Sequence, residues 1–223
     1  MTGRILSLDT ASRHGSVALV AGTGIVEEKP LYSDEGYGHI IFSEIDALLR
    51  RHGWRLSDLD CFAAASGPGS FTGTRVGLAA VKGLAAALGR PAVGVSNLQA
   101  MAWHGTAPLR AVVADARRGE VYGAVYTATL DIAQPETVTG VQEWLQGLPS
   151  GRLELLATDT GWLEEALLRA GGTPPLRAVP GQLAGAVGAV AAHRLERGIP
   201  ADPAALDANY VRRSDAELFW RDW

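Results

Sequence analysis

Apolar and polar positions fall into short blocks separated by glycine or proline, and the period of each block assigns its element. Arg4–Asp9 alternates and predicts a strand. Gly15–Val20 and Gly24–Tyr32 repeat the pattern after tight turns, which predicts an antiparallel meander. Between Gly38 and Gly53, Ile41, Ile45, Leu48 and Leu49 recur at i, i+4, i+7 and i+8, the stripe of an amphipathic helix. Ile40 and Phe42 fall outside that stripe. Arg50, Arg51 and His52 suit the C-terminus of this helix and Gly53 its stop. Next come a strand at Cys61–Ala65, a helix of small residues from Val76 to Leu88, a strand at Pro91–Val95 and a short helix from Asn97 to His104. The second half starts over, with strands at Leu109–Asp115 and Glu120–Tyr126 and a polar strand near Thr137–Val141. A helix at Gln142–Leu148, an apolar strand at Leu153–Ala157, a helix at Trp162–Ala170 and an alanine-rich helix at Gln182–Arg197 follow. Strand–strand–helix order in both halves predicts an α/β chain built by imperfect duplication, divided as 1–107 and 108–223. A tail from Pro200 to Trp223 is rich in proline and charge.

Composition narrows the class. At 223 residues and 47% hydrophobic, the chain can bury a full core. A net charge of -4 with no strongly basic half argues against a free-standing nucleic-acid binder. Arg117 with Arg118 and Arg212 with Arg213 form two arginine pairs, whose ordinary explanation is solvated surface charge. The single cysteine, Cys61, sits in an apolar strand and permits neither an internal disulfide nor a cysteine metal cage. The start of the chain reads directly as a strand, and no apolar run has membrane length, so a cytoplasmic protein is expected.

The candidate chemistry centres on Ser66-Gly-Pro-Gly-Ser-Phe-Thr-Gly-Thr-Arg75, between a strand and a helix. Such a turn can aim backbone N–H groups and a helix N-terminus at an anion. It is not a Walker A loop, and Thr72 stands where the third glycine of a dinucleotide fingerprint belongs. A strand-to-helix turn that needs glycine for its dihedrals explains it equally well. Asp9, Thr10 and Ser12 fall at the first turn, where they could hold a metal–phosphate group or cap local N–H groups. Asp115 ends the first strand of the second half in the same way. No nucleophile elbow surrounds Ser66 or Ser70, and no HExxH occurs. The five histidines form no ligand pattern, so no metal site is expected.

Three segments together resemble one family: Leu6-Ser-Leu-Asp-Thr-Ala-Ser12 with Ser16-Val-Ala-Leu19; Gly67–Gly77 with Lys82-Gly-Leu-Ala85; and Asp115-Ala-Arg-Arg-Gly-Glu-Val-Tyr122, joined by Asn209-Tyr-Val-Arg212 in the tail. The chain is similar in these to the TsaB (YeaZ) family, a subunit of tRNA threonylcarbamoyladenosine biosynthesis. The resemblance implies an actin-like, Hsp70-like ATPase (ASKHA) fold of two related lobes, the second smaller. It implies a non-catalytic scaffolding and activating subunit that pairs with its paralogue TsaD. In TsaD an Asn-His-x-x-x-His helix holds a metal; here the aligned residues are Ser96-Asn-Leu-Gln-Ala-Met101, so Asn97 and Met101 replace the two histidines. The family contact with TsaD uses the two first-lobe helices. That assigns Ile40, Ile41, Phe42 and Ile45 on one helix, and Thr72, Gly73, Val76, Gly77, Ala80 and Leu84 on the other, to a partner interface. Packing of the small face inside its own lobe is the competing reading. The resemblance further implies the ATPase TsaE as a partner, a homodimer when the chain is alone, and tRNA contact only through the complex. It implies no cofactor, with at most weak ATP or ADP binding at a vestigial set of Asp9, Thr10, Ser12, Gly69, Ser70 and Asp115. A stand-alone ATPase of the same fold is the alternative, and a protease the least supported.

Overall fold

The computed structural model describes residues 3–170, 174–199 and 201–212. The described residues form two compact units, one of 3–104, 180–199 and 201–208, the other of 105–170, 174–179 and 209–212. This differs from a simple division at 107/108. Residues 180–208 return to the first unit, because the alanine-rich helix finds its packing surface on the first sheet.

The first unit contains β1 (Arg4–Asp9), β2 (Ser16–Ala21), β3 (Gly24–Pro30), α1 (Ile41–Arg51), β4 (Cys61–Ala65), α2 (Phe71–Leu88), β5 (Ala92–Val95) and α3 (Asn97–Ala102). Its sheet runs β3-β2-β1-β4-β5. The first three strands form the expected antiparallel meander, and β4 and β5 add in parallel. Every residue of β1 beyond Arg4 is buried, since both sheet faces are covered. Leu6, Leu8, Val17 and Leu19 join the core with Ile41, Ile45, Leu48, Val81 and Ala85 from α1 and α2. The opposite parity, Ser7 and Val20, meets the returning helix, α6 (Ala184–Glu196). Ser7 Oγ donates to Ala184 O at 2.6 Å, and Ala184 N donates to Ser16 Oγ at 3.0 Å. A Cβ on Gly188 would stand 2.6 Å from Val20 Cγ2, so close backbone approach requires glycine there.

The second unit repeats the plan with β6 (Leu109–Arg117), β7 (Glu120–Thr127), β8 (Ile132–Gly140), α4 (Val141–Gln146), β9 (Leu153–Ala157), α5 (Gly161–Ala170) and β10 (Leu176–Ala178). Its sheet order is β10-β9-β6-β7-β8. β6, β7 and β8 are antiparallel, while β9 and β10 add in parallel. The order is that of the first sheet, so the duplication read from the sequence is a topological one. This two-lobed architecture is the actin-like ATPase fold. Trp144, Leu163 and Leu167 from α4 and α5 cover Ala111, Val113, Val121 and Val125.

Several element boundaries differ from the expected ones by a few residues, α2 and β8 the most. α2 starts at Phe71, not Val76, because Ser70 caps it with Oγ accepting from Gly73 N. β8 reaches back to Ile132, and β10, a three-residue strand directly after Pro174-Pro175, carries too little pattern to be read. Among the described residues no helix is long and apolar enough to cross a membrane.

Candidate functional site

The candidate site of the first unit lies where β1 ends and α2 begins. Burial of β1 carries Asp9 out of water completely, at 0% exposure. Its Oδ1 accepts from Ala11 N at 2.9 Å and from Asn97 Nδ2 at 3.3 Å. Asn97 Oδ1 in turn accepts from Gly67 N at 2.9 Å, and Asn97 N donates to Gly67 O at 2.8 Å. Asp9 Oδ2 is buried without a partner. Burial pushes the Asp9 carboxyl from 3.8 up to about 6. The Ala11 and Asn97 donors pull against that rise, and nearby Glu28 adds to it. Sequence reasoning missed Asn97 as a structural residue, since it weighed the position only against metal ligation. It also missed Tyr37, whose hydroxyl accepts from Gly15 N and donates to Ser12 O, both at 3.0 Å.

The glycine-rich turn is filled by the chain itself. Ser70 N donates to Ala11 O at 2.6 Å, and Thr10 Oγ1 donates to Gly73 O at 2.6 Å. A Cβ on Gly69 would overlap the Ala11 carbonyl oxygen, one on Gly73 the Thr10 carbonyl oxygen, and one on Gly77 would stand 2.5 Å from Thr10 Oγ1. Carbonyl oxygens occupy the space where a phosphate would need donors, so these groups fit a phosphate poorly. The glycines serve close approach of the Thr10–Ala11 backbone to α2. Ser12 is exposed, and its Oγ accepts from His14 N at 3.1 Å. Asp115 lies in the second unit, exposed, with Oδ1 accepting from Arg117 N at 2.6 Å.

The residues assigned to an interface separate into two groups. Ile41 and Ile45 are core residues, Gly77 and Ala80 are buried, and Ile40 and Leu84 pack half-buried on the same core. Gly73 is spent on the Thr10 contact. These seven pack within their own unit: six lie on the stripe of each helix that meets the sheet, and Ile40, at the N-cap of α1, packs on the same core. What faces outward is Phe42 on α1, 56% exposed, and on α2 Phe71, 57% exposed, with Thr72, Arg75, Ala79, Gly83 and Ala86; Val76 lies half-buried beside them. The Arg75 guanidinium stacks over the Phe71 ring, 3.3 Å from its centroid. Nothing lies within 4 Å of where a Gly83 Cβ would be.

Of the arginine pairs, Arg212 is taken up by Glu120 and lies over the Tyr122 ring. Arg213, Trp220 and Trp223 lie outside the described residues. Asn97 and Met101 are both buried, and among the described residues no group of three His, Cys, Asp or Glu side chains could hold a metal.

Residues 22–173 match the family model of TsaD, tRNA N6-adenosine threonylcarbamoyltransferase. The chain is 34% identical over 173 residues to the tRNA threonylcarbamoyladenosine biosynthesis protein TsaB of Escherichia coli K12, covering 71% of this chain and 72% of that protein. It is 30% identical over 149 residues to the protein of the same description in Bacillus subtilis 168, covering 65% of each. Among solved structures, YeaZ from Pseudomonas aeruginosa superposes with a TM-score of 0.77 at 26% identity, covering 93% of this chain and 99% of that one.

Proposed function

The chain belongs to the TsaB (YeaZ) family, and we propose that it acts in tRNA threonylcarbamoyladenosine biosynthesis as a scaffolding, activating subunit that performs no chemical step itself. Its partner in this reading is the TsaD paralogue, in the cytoplasm, with TsaE joining the pair and tRNA met only in the complex. The observation that carries the reading is the fate of Asn97. The resemblance places a metal-ligating histidine of the catalytic paralogue at this position. Here its amide is spent holding Asp9 to Gly67, and Met101 one turn later is buried in the core. The reading assigns the chain no cofactor, and calorimetry with ADP and magnesium tests that assignment.

Support for the interface comes from the outward face of the two helices. Phe42 and Phe71 expose aromatic surface, and the stripe Thr72, Ala79, Gly83 and Ala86 lets a second helix approach closely. With the partner absent, the same face pairs two copies as a homodimer. Coexpression with the TsaD paralogue tests it. Phe42→Asp and Gly83→Leu leave the isolated fold intact and abolish copurification. Unchanged copurification of both variants overturns the assignment.

A further inference from the structure

The turn between β6 and β7 consists of Arg118 and Gly119, flanked by the pair Arg117 and Glu120. Arg117, Arg118 and Gly119 all take positive φ, at 63°, 58° and 77°. Among the described residues, Leu130 is the one other non-glycine residue in that region. A two-residue hairpin turn of this hand favours asparagine and glycine, which tolerate the left-handed region; a long branched side chain gains nothing from it. Strain held in adjacent residues is a reason to look for a use of their side chains. Both arginines are exposed, and among the described residues neither guanidinium has a hydrogen-bond or ion-pair partner. The two acids that flank them are engaged elsewhere: Asp115 accepts from the backbone N–H of Arg117, and Glu120 pairs with Arg212. With Glu120 balanced by Arg212 and Asp115 keeping its charge, the narrow tip carries a net positive charge and neither guanidinium has a side-chain partner among the described residues.

The tip carries little apolar surface. Ala116 is buried and Gly119 has no side chain, so it offers nothing to the dry centre of a protein interface. Its whole contribution is positive charge on a convex support, which suits successive phosphates of a folded RNA. We propose that Arg117 and Arg118 form a phosphate-contacting tip that engages the backbone of the substrate RNA. The proposal rests on the preceding reading for the class of that substrate. The contact is sequence-independent and positions the RNA without reading it.

The test is a titration of a labelled, unmodified tRNA transcript with the full chain and with its complex with the TsaD paralogue, across a salt series. The double variant Arg117→Asn, Arg118→Asn relieves the turn and removes both charges, so its thermal midpoint stays level or rises. Its tRNA affinity falls about tenfold at low salt, and the slope of log affinity on log salt flattens by about two. The Lys, Lys variant keeps most of the slope. Affinity and slope unchanged in the Asn, Asn variant overturn the proposal. So does a loss of partner copurification with tRNA binding intact, which would make the tip a protein contact. So does full competition of the wild-type salt-dependent signal by ATP, which would make it a nucleotide site. Wild-type copurification is scored separately. Its failure sinks the preceding reading, while the slope still decides the tip.

Discussion

Asn97 Nδ2 lies 3.3 Å from Asp9 Oδ1, at the junction of β1 and α3 in the interior of the first unit. Through Asn97 Oδ1 and Gly67 N this contact continues into the glycine-rich turn. One neutral amide thus ties a buried carboxylate to the start of the α2 connection. The other carboxylate oxygen, left without a partner, makes the charged form of Asp9 unfavourable.

The pH dependence of stability follows. The folded-state value for Asp9 is about 6 against 3.8 for the free side chain, so the folded chain holds this proton more tightly than the unfolded chain. Stability from this group is present in full below about pH 4. It declines as pH rises to about 6 and is flat above, a loss of about 3 kcal/mol at most. Asp9→Asn keeps an acceptor for Ala11 N and Asn97 Nδ2 but cannot ionise. The difference in unfolding free energy between wild type and Asp9→Asn should therefore change across that window, to the disadvantage of wild type at higher pH. A difference that stays level from pH 4 to pH 7 contradicts this account.

Two glycines of α2 should respond to alanine in opposite directions. At Gly73 the new methyl group meets the backbone carbonyl of Thr10, which cannot swing away, so Gly73→Ala should lose about 1–3 kcal/mol. At Gly83 the methyl group points into open space and the helix loses a flexible residue, so Gly83→Ala should gain up to about 1 kcal/mol. Chemical denaturation of the two variants decides it. Equal effects would mean that the Thr10–Ala11 turn does not press on α2.

Periodicity made α1 and its core stripe legible, and the repeated strand order made the duplication legible. It could not show which of two small-residue faces is internal. On α2 the positions Gly73, Gly77 and Ala80 read as an interface, yet they pack against Thr10 and the core, while Gly83 and Ala86 face out. A glycine that permits contact with its own sheet and one that awaits another helix look alike in sequence. The Asp9–Asn97 contact spans 88 residues, and nothing local signals it. The return of α6 was hidden for the same reason, since its alanine face fits either sheet in principle.

Adjacent residues of α1 separate core from surface. Ile41 is 1% exposed among Leu6, Leu8 and Ile45, whereas Phe42 is turned outward. Ile41→Ala should lose about 2–5 kcal/mol, and Ile41→Asp should not fold. Phe42→Asp should change stability by about 0.5 kcal/mol or less. Thermal melts of the isolated chain measure both. If Phe42→Asp destabilises as strongly as Ile41→Ala, the outward face is already covered, and the interface variants of the coexpression test need replacing.

Glu154 offers the corresponding test in the second unit. It lies on β9, 8% exposed, and its Oε1 accepts from Ala107 N at 2.6 Å and also from Thr106 N. These amides belong to the segment that leads into β6, and among the described residues neither has a hydrogen-bond acceptor other than Glu154. Glu154→Ala removes this acceptor from two part-buried backbone donors together and should cost about 1–3 kcal/mol. Glu154→Gln retains an acceptor oxygen of the same reach and should recover more than half of that loss, although the bonds lose their charge assistance. Hydrogen exchange of the Thr106 and Ala107 amides gives the local readout. Both should exchange slowly in wild type, faster in Glu154→Gln and fastest in Glu154→Ala. Exchange rates that do not follow this order would mean that the carboxylate does not hold the segment.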